Sequence, residues 1–161
     1  MKALIIIDIQ NGLTNRKNLY QISHIIDTIN YAIKIFRETG NIIVFMQHNN
    51  KQLINATDNW KIDSRIDKNK NDLVIQKFHG NAFDRTDLGV ILSENDVDEI
   101  LVCGLVSHGC VKATCLGGLQ LGFQTALLRN GHTNWDKNAE IKINLVETEL
   151  IEKGVEVIEI Q

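Results

Sequence analysis

The chain has no proline, only three cysteines and no excess of positive charge among its 161 residues. Most of these shortages exclude something. An odd cysteine count outside a secretory context does not build a disulfide framework and points to a reducing cytoplasm. A net charge of −3, with no basic tail or stripe, argues against nucleic acid as a partner. No apolar run approaches the roughly 20 residues that a membrane-spanning helix needs. Met1-Lys2-Ala3 leads straight into a short apolar run ending at Asp8, too short for a signal peptide and without a cleavage region. A cytoplasmic protein is therefore expected. There is no internal repeat, linker or low-complexity stretch, and the missing proline carries no functional conclusion.

What is present is ordinary for a soluble globular protein, with 43% hydrophobic and 23% charged residues. The length fits one domain over residues 1–161 with a substantial core. Apolar runs alternate with helical spacing. Ala3 to Ile9 reads as a buried parallel strand. Ile22, Ile25, Ile26, Ile29, Ile33 and Phe36 follow at helical spacing, with Gly40 as the stop. Further strands are read at Asn41 to Gln47, Leu73 to Lys77, Glu99 to Cys103, Gln124 to Leu128 and Val155 to Ile160. Helices are read at Leu88 to Ser93, about Gly109 to Leu121, and Asn138 to Lys153. Residues Leu53 to Asn71 are largely polar and irregular, with Trp60 as their one aromatic side chain. This alternation predicts an α/β fold: a three-layer sandwich around a six-stranded, mostly parallel sheet.

Ligands of such sheets bind beyond the carboxyl ends of the strands, near a switch point in strand order. Three chemistry-bearing residues fall there. Asp8 and Lys77 close the first and third strands, and Cys110 lies on the turn after the fourth. A cysteine on the first turn of a helix meets unpaired N–H groups and partial positive charge, which favour thiolate and can hold an oxyanion. Asp8 is placed to take the thiol proton and Lys77 to stabilise the thiolate. Backbone N–H groups of the loop and of Cys110 itself are candidates for an oxyanion hole. Attack on an amide or ester carbonyl would give an acyl-enzyme.

The order and spacing of three segments resemble the isochorismatase-like cysteine hydrolases, which include the nicotinamidases. They are Ala3-Leu4-Ile5-Ile6-Ile7-Asp8-Ile9-Gln10-Asn11; Ile75-Gln76-Lys77 with Asn81-Ala82-Phe83 and Thr86-Asp87-Leu88; and Gly104-Leu105-Val106-Ser107-His108-Gly109-Cys110-Val111-Lys112-Ala113-Thr114. The resemblance implies an Asp8–Lys77–Cys110 triad acting as base, electrostatic partner and nucleophile. It also implies a cis peptide between Leu105 and Val106, with the N–H groups of Val106 and Cys110 as the oxyanion hole. Retention of the cysteine favours hydrolysis of an amide-type C–N bond, because isochorismatase proper acts on a vinyl ether without needing it. Ether or ester hydrolysis and a silent small-molecule binder are the alternatives. The resemblance further implies a homo-oligomer, dimer or tetramer, with a small-molecule substrate.

Metal-binding nicotinamidases carry an aspartate and two histidines after the second strand. Here that region reads Gln47-His48-Asn49-Asn50-Lys51, and zinc wants three or four convergent ligands. Neither a metal nor another cofactor is expected. Leu13, Trp60 and Phe83 are expected to wall the pocket. Cys103 and Cys115 read as inert packing residues, His108 as a loop residue, and His24, His79 and His132 as structural or surface residues. Gly104-x4-Gly109 imitates a phosphate loop, but Cys110 and Val111 fill the lysine and hydroxyl positions. A phospho-acceptor domain would carry an acidic cluster after the first strand, where Ile9-Gln10 stand.

Overall fold

The structure, a computed structural model, describes residues 1–161. Its elements are β1 (Lys2–Ile7), α1 (Asn11–Thr14), α2 (Ile22–Glu38), β2 (Ile42–His48), β3 (Leu73–Lys77), α3 (Leu88–Glu94), β4 (Glu99–Leu105), a π-helical turn (Ser107–Val111), α4 (Lys112–Gln120), β5 (Gln124–Thr133), α5 (Ala139–Lys153) and β6 (Glu156–Ile158). No helix is long and apolar enough to cross a membrane.

All six strands are parallel, in the order β3-β2-β1-β4-β5-β6. The order reverses between β1 and β4, which makes their carboxyl ends the switch point. β1 is buried from Ala3 to Ile7, as a central strand covered on both faces must be. Its side chains alternate between two cores. Ala3, Ile5 and Ile7 join Leu88, Leu92, Val111, Cys115, Val146 and Leu150 from α3, the turn, α4 and α5. Leu4 and Ile6 join Ile25, Ile26, Ile29, Ile33 and Phe36 of α2. Burying a side chain of this kind contributes about 1.5–3 kcal/mol relative to exposure. The helical spacing read in residues 22–36 is the face of α2 that meets the sheet, and Gly40 at φ +68 follows its end.

Close approach at the switch point depends on Gly104. Its φ is +116, and a Cβ there would lie 2.1 Å from the Ile7 carbonyl oxygen of the neighbouring strand. Gly117 and Gly118 serve α4 in a related way, admitting the Asn81 amide and the Ile100 and Thr125 side chains against the helix backbone.

Most boundaries differ from the sequence reading by one or two residues, and two differences bear on the site. β5 continues past Leu128 to Thr133, because the chain bulges around Asn130 (φ +59) and then regains register, placing His132 beside Gly104 and Thr133 beside Leu105. The segment after β4 is not a helix from Gly109. Gly109 breaks helical geometry at φ −110, ψ −114, and α4 starts only at Lys112.

Candidate active site

Asp8 leaves the end of β1 with φ +54, its N–H donating to the Met46 carbonyl at 3.1 Å. It is only 2% exposed. Lys77, the last residue of the edge strand β3, is wholly buried and reaches past the end of β2. Its Nζ lies 3.3 Å from Asp8 Oδ2, 2.9 Å from His48 Nδ1 and 3.0 Å from the His79 carbonyl oxygen. An ammonium has three protons, so these contacts use all of them. Burial of that charge is tolerable because it is paired and hydrogen-bonded. The other carboxylate oxygen, Asp8 Oδ1, is buried with no hydrogen-bond partner. Cys110 is half-buried in the π-helical turn, and its Sγ, the Asp8 carboxylate and a His48 ring nitrogen lie within 4.8 Å of one another.

Burial dominates the electrostatics. It raises Asp8 to about 6, against the pull of the Lys77 ammonium beside it. Burial, and then the Asp8 charge, push the Cys110 thiol up to about 11. Burial and Lys77 push His48 down to about 4, so its ring is neutral at pH 7 and accepts from Lys77 through Nδ1. The resting group is therefore an ionised carboxylate facing a neutral thiol. The thiolate expected from a regular helix N-terminus is not favoured, since Cys110 sits in the π-helical turn before α4 and burial outweighs the positive partners.

The peptide between Leu105 and Val106 is cis, and the Val106 carbonyl accepts from the N–H groups of Gly109 (3.0 Å) and Val111 (3.3 Å).

The irregular segment before β3 folds back over the strand ends. Asn11 and Gly12 donate to the carbonyls of Lys61 and Asn59, both at 2.9 Å, and Asp63 donates to Ile9 at 2.9 Å. Trp60 belongs to this cap; Leu13, on α1 beneath it, packs on the α2-side core. Phe83 does not join them. Its ring stacks on Phe123, 5.7 Å between centroids, because the 81–83 segment runs alongside α4 toward the amino-terminal start of β5. Its ring packs within the helical layer.

A network of neutral amides, missed by sequence reasoning, anchors the cap. Gln10 donates to the carbonyls of Trp60 (2.9 Å) and His48 (3.0 Å) and accepts from the His48 N–H (2.8 Å). Gln47 donates to the Trp60 carbonyl (2.9 Å) and accepts from Gln76 (2.6 Å). Asn49 donates to Gln76 (2.8 Å) and accepts from the Trp60 indole (3.1 Å). The available signal was positional: Gln47 and His48 stand opposite Gln76 and Lys77 in the sheet register.

The same residues decide the fit of a zinc ion. Asp8, His48 and Cys110 are three potential ligands, but the Lys77 amine already lies against both Asp8 Oδ2 and His48 Nδ1. Gln47, Asn49 and Gln76 satisfy one another. The arrangement does not fit zinc, which needs three or four ligands converging on a position no other cation fills.

The remaining residues fall into place. Cys103 and Cys115 are fully buried, and burial raises both thiols, Cys115 to about 12. His108 and His24 are exposed, and His79 approaches Asp84 at 3.9 Å. His132 is buried between Ser107 and Glu147.

Residues 2–159 match the isochorismatase domain family. The chain belongs to the isochorismatase family. Among proteins of that kind, it is 29% identical over 154 residues to the uncharacterized isochorismatase family protein YddQ of Bacillus subtilis, covering 88% of this chain and 82% of that one. It is 25% identical over 140 residues to a streptothricin hydrolase of Streptomyces noursei, covering 84% of this chain and 51% of that protein. It thus spans about half the length of the streptothricin hydrolases it matches. A crystal structure of an isochorismatase family protein superposes with a TM-score of 0.91 at 26% identity, covering 98% of this chain and 97% of the other. The zinc complex of Pyrococcus horikoshii pyrazinamidase shares the fold, with a TM-score of 0.87 at 22% identity and 99% of both chains covered.

Proposed function

We propose that this protein is a metal-independent cysteine hydrolase that cleaves an amide-type C–N bond of a small molecule. One observation carries the reading: the open, buried Oδ1 of Asp8 beside the Cys110 thiol, with Oδ2 held by Lys77. Sγ attacks the carbonyl carbon while its proton passes to Asp8. The N–H groups of Val106 and Cys110 take the oxyanion. The C–N bond breaks, the amine leaves with the proton from Asp8, and a thioester remains. Water, deprotonated by Asp8, then cleaves the thioester and returns the thiol. Because Asp8 is raised only to about 6, it is a carboxylate at neutral pH and able to act as the base. Leu13 of α1 and Trp60 of the cap wall the substrate. Support for C–N chemistry comes from the relatives named N-carbamoylsarcosine amidase, maleamate amidohydrolase and nicotinamidase.

A panel of small primary amides, assayed by ammonia release before and after treatment with a chelator, tests the proposal. Turnover that survives chelation and disappears in Cys110→Ala is expected. Turnover retained by Cys110→Ala would overturn the nucleophile assignment.

A further inference from the structure

A second buried polar chain runs beneath the nucleophile turn. The Glu147 carboxylate on α5 lies with Oε1 3.3 Å from His132 Nε2, and His132 Nδ1 lies 2.9 Å from Ser107 Oγ. Ser107 is fully buried, His132 is 1% exposed and Glu147 8%. A carboxylate only accepts, so Nε2 carries a proton and Nδ1 is turned toward the serine. The far oxygen of Glu147 approaches Arg129 Nε at 3.4 Å. Contact with His132 holds the Glu147 carboxyl below its usual range, so it is ionised at neutral pH.

Three facts place this chain. Ser107 directly follows Val106 and stands three residues before Cys110, so it lies between the two N–H groups assigned to the oxyanion. The bulge in β5 is what brings His132 into register with Gly104, under the turn. Apolar side chains of similar volume would fill the same space at no loss of stability, and often at a gain. What a hydrogen-bonded chain adds is a fixed direction at each link. Ser107 itself is too buried to meet a substrate.

We infer that Glu147, His132 and Ser107 are positioning residues that hold the nucleophile turn in the geometry needed for oxyanion capture. The inference rests on the function proposed above. It separates two reactions of one thiol. Alkylation by iodoacetamide displaces iodide from a saturated carbon and forms no oxyanion. Acylation by p-nitrophenyl acetate forms a tetrahedral oxyanion; the ester C–O bond then breaks, nitrophenolate leaves and Asp8 holds the thiol proton. A cavity of about 420 Å³ beside Arg129, His132 and Glu147 lets water replace a shortened Glu147 side chain.

The experiment measures both reactions at Cys110 of the full chain by intact mass and nitrophenolate release. Ser107→Ala and Glu147→Ala should each slow acylation about 30-fold or more, as loss of reacting geometry does, and leave alkylation within about threefold of the unsubstituted chain. Glu147→Gln keeps an acceptor for Nε2–H and should restore acylation to within about threefold. Equal losses in both reactions, or no loss in either, would show a packing role and overturn the inference. If the unsubstituted chain is alkylated at Cys110 but never acylated there, the proposed function falls, and the inference with it.

Discussion

Two buried polar networks flank the strand ends, and their chemistry differs. On the β2–β3 side, Gln10, Gln47, Asn49, Gln76 and the Trp60 indole are all neutral. On the β5 side, Ser107 and His132 end on the charged pair of Glu147 and Arg129. The neutral network holds a cap and has no proton to gain or lose between pH 4 and 9. The other lies under the turn that carries Cys110 and contains the ionised Glu147 carboxyl. Between them sits the Asp8–Lys77 pair, beside the Cys110 thiol. In the proposed mechanism the proton moves at Asp8, away from the neutral network of the cap.

The largest effect should come from Asp8→Asn. The amide cannot take the thiol proton, and loss of a general base costs about 10²–10⁴-fold in rate. In the unsubstituted chain Asp8 is raised from 3.8 to about 6, so it is protonated and idle below that pH. The kcat/KM profile should rise through pH 6, and this acid limb should vanish from the residual activity of the variant. An acid limb that persists unchanged would assign it to another group.

Lys77→Met comes next. It removes the one lowering charge beside Asp8 and leaves His48 Nδ1 and the His79 carbonyl without a donor. The acid limb should move to higher pH, by about one unit or more. Native Asp8 would then keep its proton further above its unfolded value, so the stability lost as pH rises from that unfolded value would be larger and the loss would continue to a higher pH. A pH–rate profile alongside melting curves at several pH values checks both.

Gln47→Leu should have the smallest effect and one of a different kind. It cuts the links to Trp60 and Gln76. The cap loosens, and KM should rise about fivefold, the worth of roughly one hydrogen bond, while the pH profile keeps its shape. A shifted profile would mean that the two networks communicate, and the contrast between them would fail.

Much of this arrangement was legible in the chain because a parallel strand reads as an apolar run whose end the first charge marks. That made Asp8 and Lys77 visible, and Cys110 followed from the turn after β4. The cap was not legible. Its order comes from main-chain hydrogen bonds between residues 59–63 and 9–12, which leave no periodicity in side chains. His132 was obscured by the bulge, since Arg129-Asn130-Gly131 reads as the end of a strand that in fact resumes. The packing of Phe83 was not legible either, because a lone aromatic in a loop does not say which layer it enters, and Phe123, which receives it, is 40 positions away.

The strand that carries Lys77 lies at an edge of the sheet. β3 pairs on one side only, and Leu73 and Val74 are each 39% exposed, whereas β1 and β4 at the centre are buried on both faces. Proteins open in local steps of unequal cost, and edge strands lie at the cheap end. Peeling β3 from β2 would withdraw the ammonium from Asp8 while the nucleophile and the two cores stayed in place. Warming the protein should therefore switch it off reversibly some degrees before it melts, with amide hydrogens of residues 73–77 exchanging well ahead of those of β1 and β4.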